Sequence, residues 1–158
     1  MRRHIALCLA VVVVVFGCWL GEGGSPAWAV VPIVGAFVAV LAVGVVAPGK
    51  VWVKAVSGVS AFALYAAALF LGGLSFTQAF GECVEKGEEV RSLLHQYQKK
   101  EGRFPERLTQ LEAFRLCGRI LRPTVLDYEK TESGYVLSFK DWLVEYKATE
   151  SEPFMAHK

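Results

Sequence analysis

The sequence predicts a membrane protein in two parts: a set of α-helical transmembrane spans, then a small α+β module in which a long N-terminal helix packs on a three-stranded antiparallel sheet. Three observations predict it. Of 17 basic and 15 acidic residues in the 158, positions 1–74 carry only Arg2, Arg3, Glu22, Lys50 and Lys54. Two windows, Gly23 to Gly49 and Ala55 to Gly81, hold no charge at all. Beyond them the apolar residues recur first every three or four positions and then every second one, a helix followed by strands. The boundary falls at about residue 74, with the membrane region at 1–74 and the extracytoplasmic domain at 75–158.

Composition excludes two function classes. With 54% apolar residues concentrated in the first half, the chain is not a soluble enzyme with one large core. The second half is nearly neutral and has no basic patch, which excludes nucleic acid as the main partner. Membrane lipid and proteins of the cell envelope are the partners expected.

Within the uncharged windows the apolar cores run over 27–47 and 55–74, each about the 20 residues a helix needs to cross roughly 30 Å of hydrocarbon. Helices rather than strands are expected, because no polar–apolar alternation is present and lipid offers backbone groups no partner. Ser25 and Pro26 suit the N-cap and first position of one span, and Pro48-Gly49 suits its end. Three readings of the first apolar segment, about 5–22, stand open. It is a retained span, a signal peptide cleaved at Ala27-Trp28-Ala29, or a lipoprotein signal ending at Cys18, for which Phe16 is a poor fit. Arg2 and Arg3 precede the first span, and Lys50 and Lys54 flank the start of the last. The positive-inside rule therefore puts residues 75–158 on the outer side of a bacterial inner membrane under each reading that retains or cleaves the first segment. No Asp, Glu, Lys, Arg or His falls within the spans proper, which argues against transport. Gly35, Ala39 and Gly44 on one span, and Ser57 and Ala61 on the last, are small enough for close helix packing.

From Thr77 the pattern is amphipathic. Phe80, Cys83, Val84, Val90, Leu93, Leu94 and Tyr97 form one stripe of a helix of about 25 residues that continues the last span. Lys99, Lys100 and Gly102 end it. Phe104-Pro105-Glu106 opens a short second helix whose Leu108, Leu111 and Phe114 face the same core. After Pro123 the period is two: Leu126 and Tyr128, then Tyr135, Leu137 and Phe139, then Trp142, Val144 and Tyr146. The aromatic face of this meander is expected to cover the helix stripe, since a sheet so small is not stable alone. The stretch after Thr149 shows no pattern and is expected to fray.

Taken together, Leu94-His95-Gln96-Tyr97, Glu101-Gly102-Arg103-Phe104-Pro105, Leu108, Leu111 and Gly134-Tyr135-Val136-Leu137-Ser138-Phe139 resemble the globular part of type IV pilins and type II secretion pseudopilins. The resemblance covers about residues 76–148. It implies a pilin-like fold and a place in envelope assembly or secretion. The last span lacks the family's basic leader and the Glu five residues into the span, and it follows further apolar segments. The resemblance therefore does not extend to processing or filament insertion.

Cys83 and Cys117 are the candidate disulfide, closing a loop of about 35 residues worth roughly 3–4 kcal/mol in the chain-entropy model. Two buried thiols or a metal site, for which further ligands are not apparent, are the alternatives. Cys8 and Cys18 read as small apolar side chains. Glu88, Ser92 and His95 lie on one helix face and invite a nucleophile reading, but a solvated surface without an oxyanion hole explains them better. No catalytic, cofactor-binding or metal-ligating set is assigned, and no enzyme activity is expected. Tyr128, Trp142 and Tyr146 on the sheet are the candidate interaction surface, with core packing as the alternative for each. The function expected is a periplasmic binding or scaffolding module accessory to an envelope complex; the competing function is an envelope sensor whose module binds a small ligand or peptide.

Overall fold

A computed structural model describes residues 2–23, 30–46, 49–111, 114, 116–132, 134–141 and 144–157. Three helices come first: α1 (Arg2–Gly21), α2 (Val30–Val46) and α3 (Val51–Glu101). A single 3-10 turn at Leu108–Gln110 follows, then β1 (Asp127–Lys130), β2 (Tyr135–Lys140), β3 (Glu145–Thr149) and β4 (Met155–His157). The chain divides into two compact units. One holds Met1–Phe76 with Ile120–Arg122, and the other holds Thr77–Arg119 with Pro123–Lys158. The short segment 120–122 thus clusters with the apolar helices, although the change of composition near residue 74 assigns it to the module.

In the first unit the helices are apolar and their outward faces are exposed, including Val11, Val12, Phe37, Val59, Phe62 and Phe70. Among the described residues α3 is the one helix long and apolar enough to cross a membrane; Leu7–Gly21 is a shorter apolar helix. The described part of α2 is 17 residues, about 26 Å at 1.5 Å per residue, at the lower end of the length that crosses a hydrocarbon core. The expected capping by Ser25-Pro26, the Ala27-Trp28-Ala29 cleavage pattern and Pro48 lie outside the described residues. Gly49 lies within them, at a left-handed φ of 113° immediately before α3.

Glycines set how closely the helices pack. A Cβ on Gly72 would fall onto the backbone carbonyl of Cys18, and one on Gly21 onto that of Leu69, so α1 and α3 meet backbone to backbone. Tyr65 packs beside this contact with Val13 and Leu20, against Ala36 and Leu69. Gly35 leaves room for its ring, since a Cβ there would lie 2.8 Å from the hydroxyl. Ala61 is buried, but Gly44 meets nothing within 4 Å. Ser57 turns its hydroxyl back to Val53 O at 2.8 Å. The side chain of Ala39 lies outside the described set.

In the second unit the buried stripe of α3 is Ala79, Cys83, Gly87, Val90 and Leu94, the four- and three-residue steps of one helix face. Val84, expected in this stripe, is 53% exposed because it sits a position past the Cys83 line. The helix ends at Glu101, with Lys99 and Lys100 in its last turn and Gly102 at φ 73° accepting the left-handed cap. Phe104, Leu108 and Leu111 are buried, as the pattern predicts, and Phe114 is half-buried. The short second helix is reduced to the 3-10 turn, in which the Gln110 side chain accepts the Glu106 N–H at 2.7 Å.

The sheet is antiparallel in the order β1-β2-β3-β4, so it has four strands rather than three. Tyr128 pairs with Leu137, and Leu137 with Ala148; Phe139 pairs with Tyr146, and Tyr146 with Ala156. The C-terminal stretch expected to fray forms β4 because Phe154 anchors it. Its ring lies 5.2 Å from that of Phe139 and fills the space a side chain on Gly87 would occupy. The Thr149 N–H bond to Glu152 O, at 3.0 Å, closes the turn into it.

Candidate functional site

α1 ends at Gly21, and Glu22 and Gly23 turn the chain with bonds to Cys18 O and Leu20 O at 3.1 and 2.9 Å. This leaves Glu22, the only acidic residue of the first half, fully buried. A carboxylate out of water costs several kcal/mol unless its lone pairs are filled. Here they are filled by three consecutive main-chain amides. Oε1 accepts Ile120 N–H at 2.7 Å and Leu121 N–H at 3.1 Å; Oε2 accepts Leu121 N–H at 3.0 Å and Arg122 N–H at 2.7 Å. The Ser75 hydroxyl on α3 donates to Oε1 at 3.1 Å and also accepts from Ile120 N at 3.3 Å. Successive N–H groups converging on one anion form a nest, and the anion here is supplied by the chain itself. Arg122 closes the arrangement: its Nε donates to Trp19 O at 2.8 Å and its guanidinium carbon lies 3.9 Å above the indole ring.

The module has its own pinned loop. Cys83 and Cys117 are joined in a disulfide with Cα atoms 5.3 Å apart. Glu82 Oε2 accepts the Cys117 N–H at 3.1 Å, and Cys117 O accepts Val125 N–H at 3.0 Å. Cys117 holds a φ of 61°, unusual for a side-chain-bearing residue, where the chain reverses. Cys8 and Cys18 are unpaired, the first exposed and the second half-buried.

Tyr128 and Tyr146 are half-buried, each with ring partners inside the module. The Tyr128 ring stacks at 6.3 Å on Tyr135, and its hydroxyl donates to Pro105 O at 2.6 Å. Burial, with the nearby Glu106 charge adding to it, pushes the Tyr128 phenol up to about 12. Tyr146 stacks on Phe139 at 4.8 Å and meets Phe80 edge-on at 6.1 Å. Trp142 lies outside the described residues. Tyr135 is the centre of the cluster, with Phe104 at 5.0 Å and His95 at 6.1 Å.

Glu88, Ser92 and His95 face different partners. The Glu88 carboxylate accepts from Arg91 at 2.7 Å and from Phe154 N at 3.3 Å, while the His95 ring packs on Phe104 and Tyr135. Ser92 is exposed beside a shallow cleft of about 330 Å³ lined by Glu89, Leu93 and Leu116. Arg91 also reaches across to Thr149 O at 3.0 Å and Glu150 O at 3.4 Å, tying α3 to the end of β3. Burial raises the Asp127 carboxyl, whereas the Lys130 hydrogen bond and charge hold Glu106 below its usual range. Among the described residues no group of His, Cys, Asp and Glu is arranged to hold a metal ion.

The Glu22 nest and β4 are the features that sequence reasoning does not reach. A lone acid at the end of an apolar segment was the available signal for the first; Phe154 in an otherwise polar tail was the signal for the second. No family model, no curated protein and no solved structure matches the chain.

Proposed function

We propose that the chain is a multi-pass protein of a bacterial inner membrane that presents its α+β module in the periplasm as a binding or scaffolding surface, accessory to an envelope assembly or secretion complex. The observation that carries the reading is the open edge of β4. Its residues 155–157 are exposed, pair among the described residues with β3 alone, and include Met155 at 45% exposure. An edge strand of this kind accepts an extended segment of another protein by adding a strand to the sheet.

Two further features support the membrane part. The Glu22 nest supports a retained α1, since a chain cleaved after Ala29 would lose the Glu22 acceptor of three amides. Lys50 and Lys54 at the start of α3 favour its N-terminus on the cytoplasmic side. The pilin-like reading of the module is supported by the long helix ending at Gly102, by buried Phe104, Leu108 and Leu111 after it, and by the antiparallel sheet that follows.

A photo-crosslinking amino acid at Met155 in growing cells tests the binding role, with Glu129 on the opposite edge strand for comparison. A discrete adduct from Met155 that is lost when Ala156 is changed to Pro is expected; no adduct from either edge sinks the reading. Alkaline phosphatase fused after Lys158 tests the orientation, and must be active. The competing sensor reading draws on the cleft beside Ser92. It predicts instead that periplasmic small-molecule fractions raise the unfolding temperature of the purified protein, and that Ser92→Trp removes the effect.

A further inference from the structure

We propose that the loop Ile120–Leu121–Arg122 is an interfacial membrane anchor, seated in the headgroup zone of the bilayer on the side where α3 leaves it. The proposal rests on the membrane reading of the first unit, to which these three residues belong.

Ile120 and Leu121 are apolar, yet 68% and 42% exposed at the tip of a loop. They are held at a defined level. Ser75 shares the Glu22 carboxylate with the Ile120 amide, and Ser75 follows Leu74, the end of the apolar run of α3, itself half exposed with Leu71. The backbone of Ile120 and Leu121 is therefore tethered beside the end of the apolar run of α3.

Irregular backbone enters a low-dielectric layer only when its polar groups are already bonded. The donor half of that condition is met: the three amides of 120–122 are all given to Glu22, and the next residue, Pro123, has no N–H to give. The pair beside the loop fits the same layer. Trp19 is an indole in the last turn of α1, the side chain that concentrates at headgroup depth, and Arg122 lays its guanidinium over it.

The test uses the full-length chain in phosphatidylethanolamine–phosphatidylglycerol vesicles, with a genetically encoded environment-sensitive fluorescent residue at Ile120, Leu121, Phe62 or Glu132 in turn. Quenching is read with aqueous iodide and with lipids brominated high or low on the acyl chain. At Ile120 and Leu121 the expected result is quenching by the high bromines and several-fold less quenching by iodide than at Glu132. At Phe62, midway along the α3 span, bromines quench and iodide does not. If Phe62 behaves so while Ile120 and Leu121 are as open to iodide as Glu132, the anchor is overturned and the membrane reading stands. If iodide reaches Phe62, both fall.

Discussion

The carboxylate of Glu22 accepts the backbone N–H of Arg122 at 2.7 Å, across 100 positions of chain. With the Leu121 and Ile120 amides beside it, this contact fastens a loop from the second half of the sequence to the end of the first helix. The acid is the one charge that the apolar region admits between Arg3 and Lys50.

Replacing it tests that fastening. Glu22→Ala leaves the Leu121 and Arg122 amides without an acceptor and Ile120 N–H with Ser75 alone, and is expected to cost on the order of 3 kcal/mol. Glu22→Gln keeps one acceptor oxygen, loses the charge assistance and is expected to fall between. Thermal unfolding in mild detergent gives the loss, and limited trypsin digestion localises it, since the Arg119–Ile120 bond at the start of the freed segment becomes open to cleavage. An unchanged melting temperature and digestion pattern would show that the nest does not hold the loop.

The Cys83–Cys117 bond spans 34 positions in a unit with a thin core. Reduction, or Cys117→Ser, is expected to lower the stability of the module by about 3–4 kcal/mol in the loop-closure model. Denaturant titration of the whole protein with and without dithiothreitol measures it; coincident curves would remove the bond from the stability account.

Close helix approach at Gly72 predicts a graded series. Gly72→Ala puts a methyl group against the Cys18 carbonyl and is expected to cost about 1–3 kcal/mol, with Gly72→Leu not folding. Gly44→Ala enters open space and is expected to be neutral or to stabilise its helix by up to about 1 kcal/mol. Equal effects at the two positions in a detergent-unfolding assay would contradict the backbone contact.

The phenol of Tyr128, raised to about 12 by burial, makes the module sensitive to alkali. A group whose folded value lies above its unfolded one contributes stability that is complete below the unfolded value of 10 and is lost as pH rises toward 12. Denaturant midpoints are therefore expected to fall between pH 10 and 12. Tyr128→Phe flattens that fall while costing about 1 kcal/mol at neutral pH through the lost bond to Pro105 O. A mutant with the same alkaline slope as the parent would mean that another group carries it, Tyr135 being the first to examine, since burial raises it in the same direction.

At the acid end the sign is reversed. Lys130 holds the Glu106 carboxyl down, so this pair supports the fold above the ordinary carboxylate range and the support is lost as pH falls through the lowered value. Glu106 is exposed, so Lys130→Ala is expected to shift only its titration, read by NMR, with little change in melting temperature.

Local patterns were legible where the cause is local. The uncharged windows, the stripe through Cys83, Val90 and Leu94, and the alternation of Tyr135, Leu137 and Phe139 each follow from burying apolar side chains at the period of the element that carries them. Gly102 and the two lysines before it marked the helix end because a cap needs only its own neighbours. Tyr128 and Tyr146 were ambiguous for a stated reason: an aromatic on a half-buried strand has the same pattern whether its ring meets a partner or its own core. Each ring meets its own core, Tyr128 at Tyr135 and Tyr146 at Phe139, and keeps its other side half-exposed.

What the sequence by itself determined is the division into an apolar helical region and an α+β module, and the faces by which the module's long helix and strands are buried. Composition and periodicity carry that information residue by residue. Only the tertiary structure decided that Glu22 is an anchor, that Gly21 and Gly72 are a helix contact, and that Phe154 turns the tail into a fourth strand. Each of these depends on a group distant in sequence: three amides near residue 121, a carbonyl at Cys18, and a side chain missing at Gly87. Burying a charge or pairing an edge is favourable only once that distant group is in place, and no local pattern in the chain records where it will be.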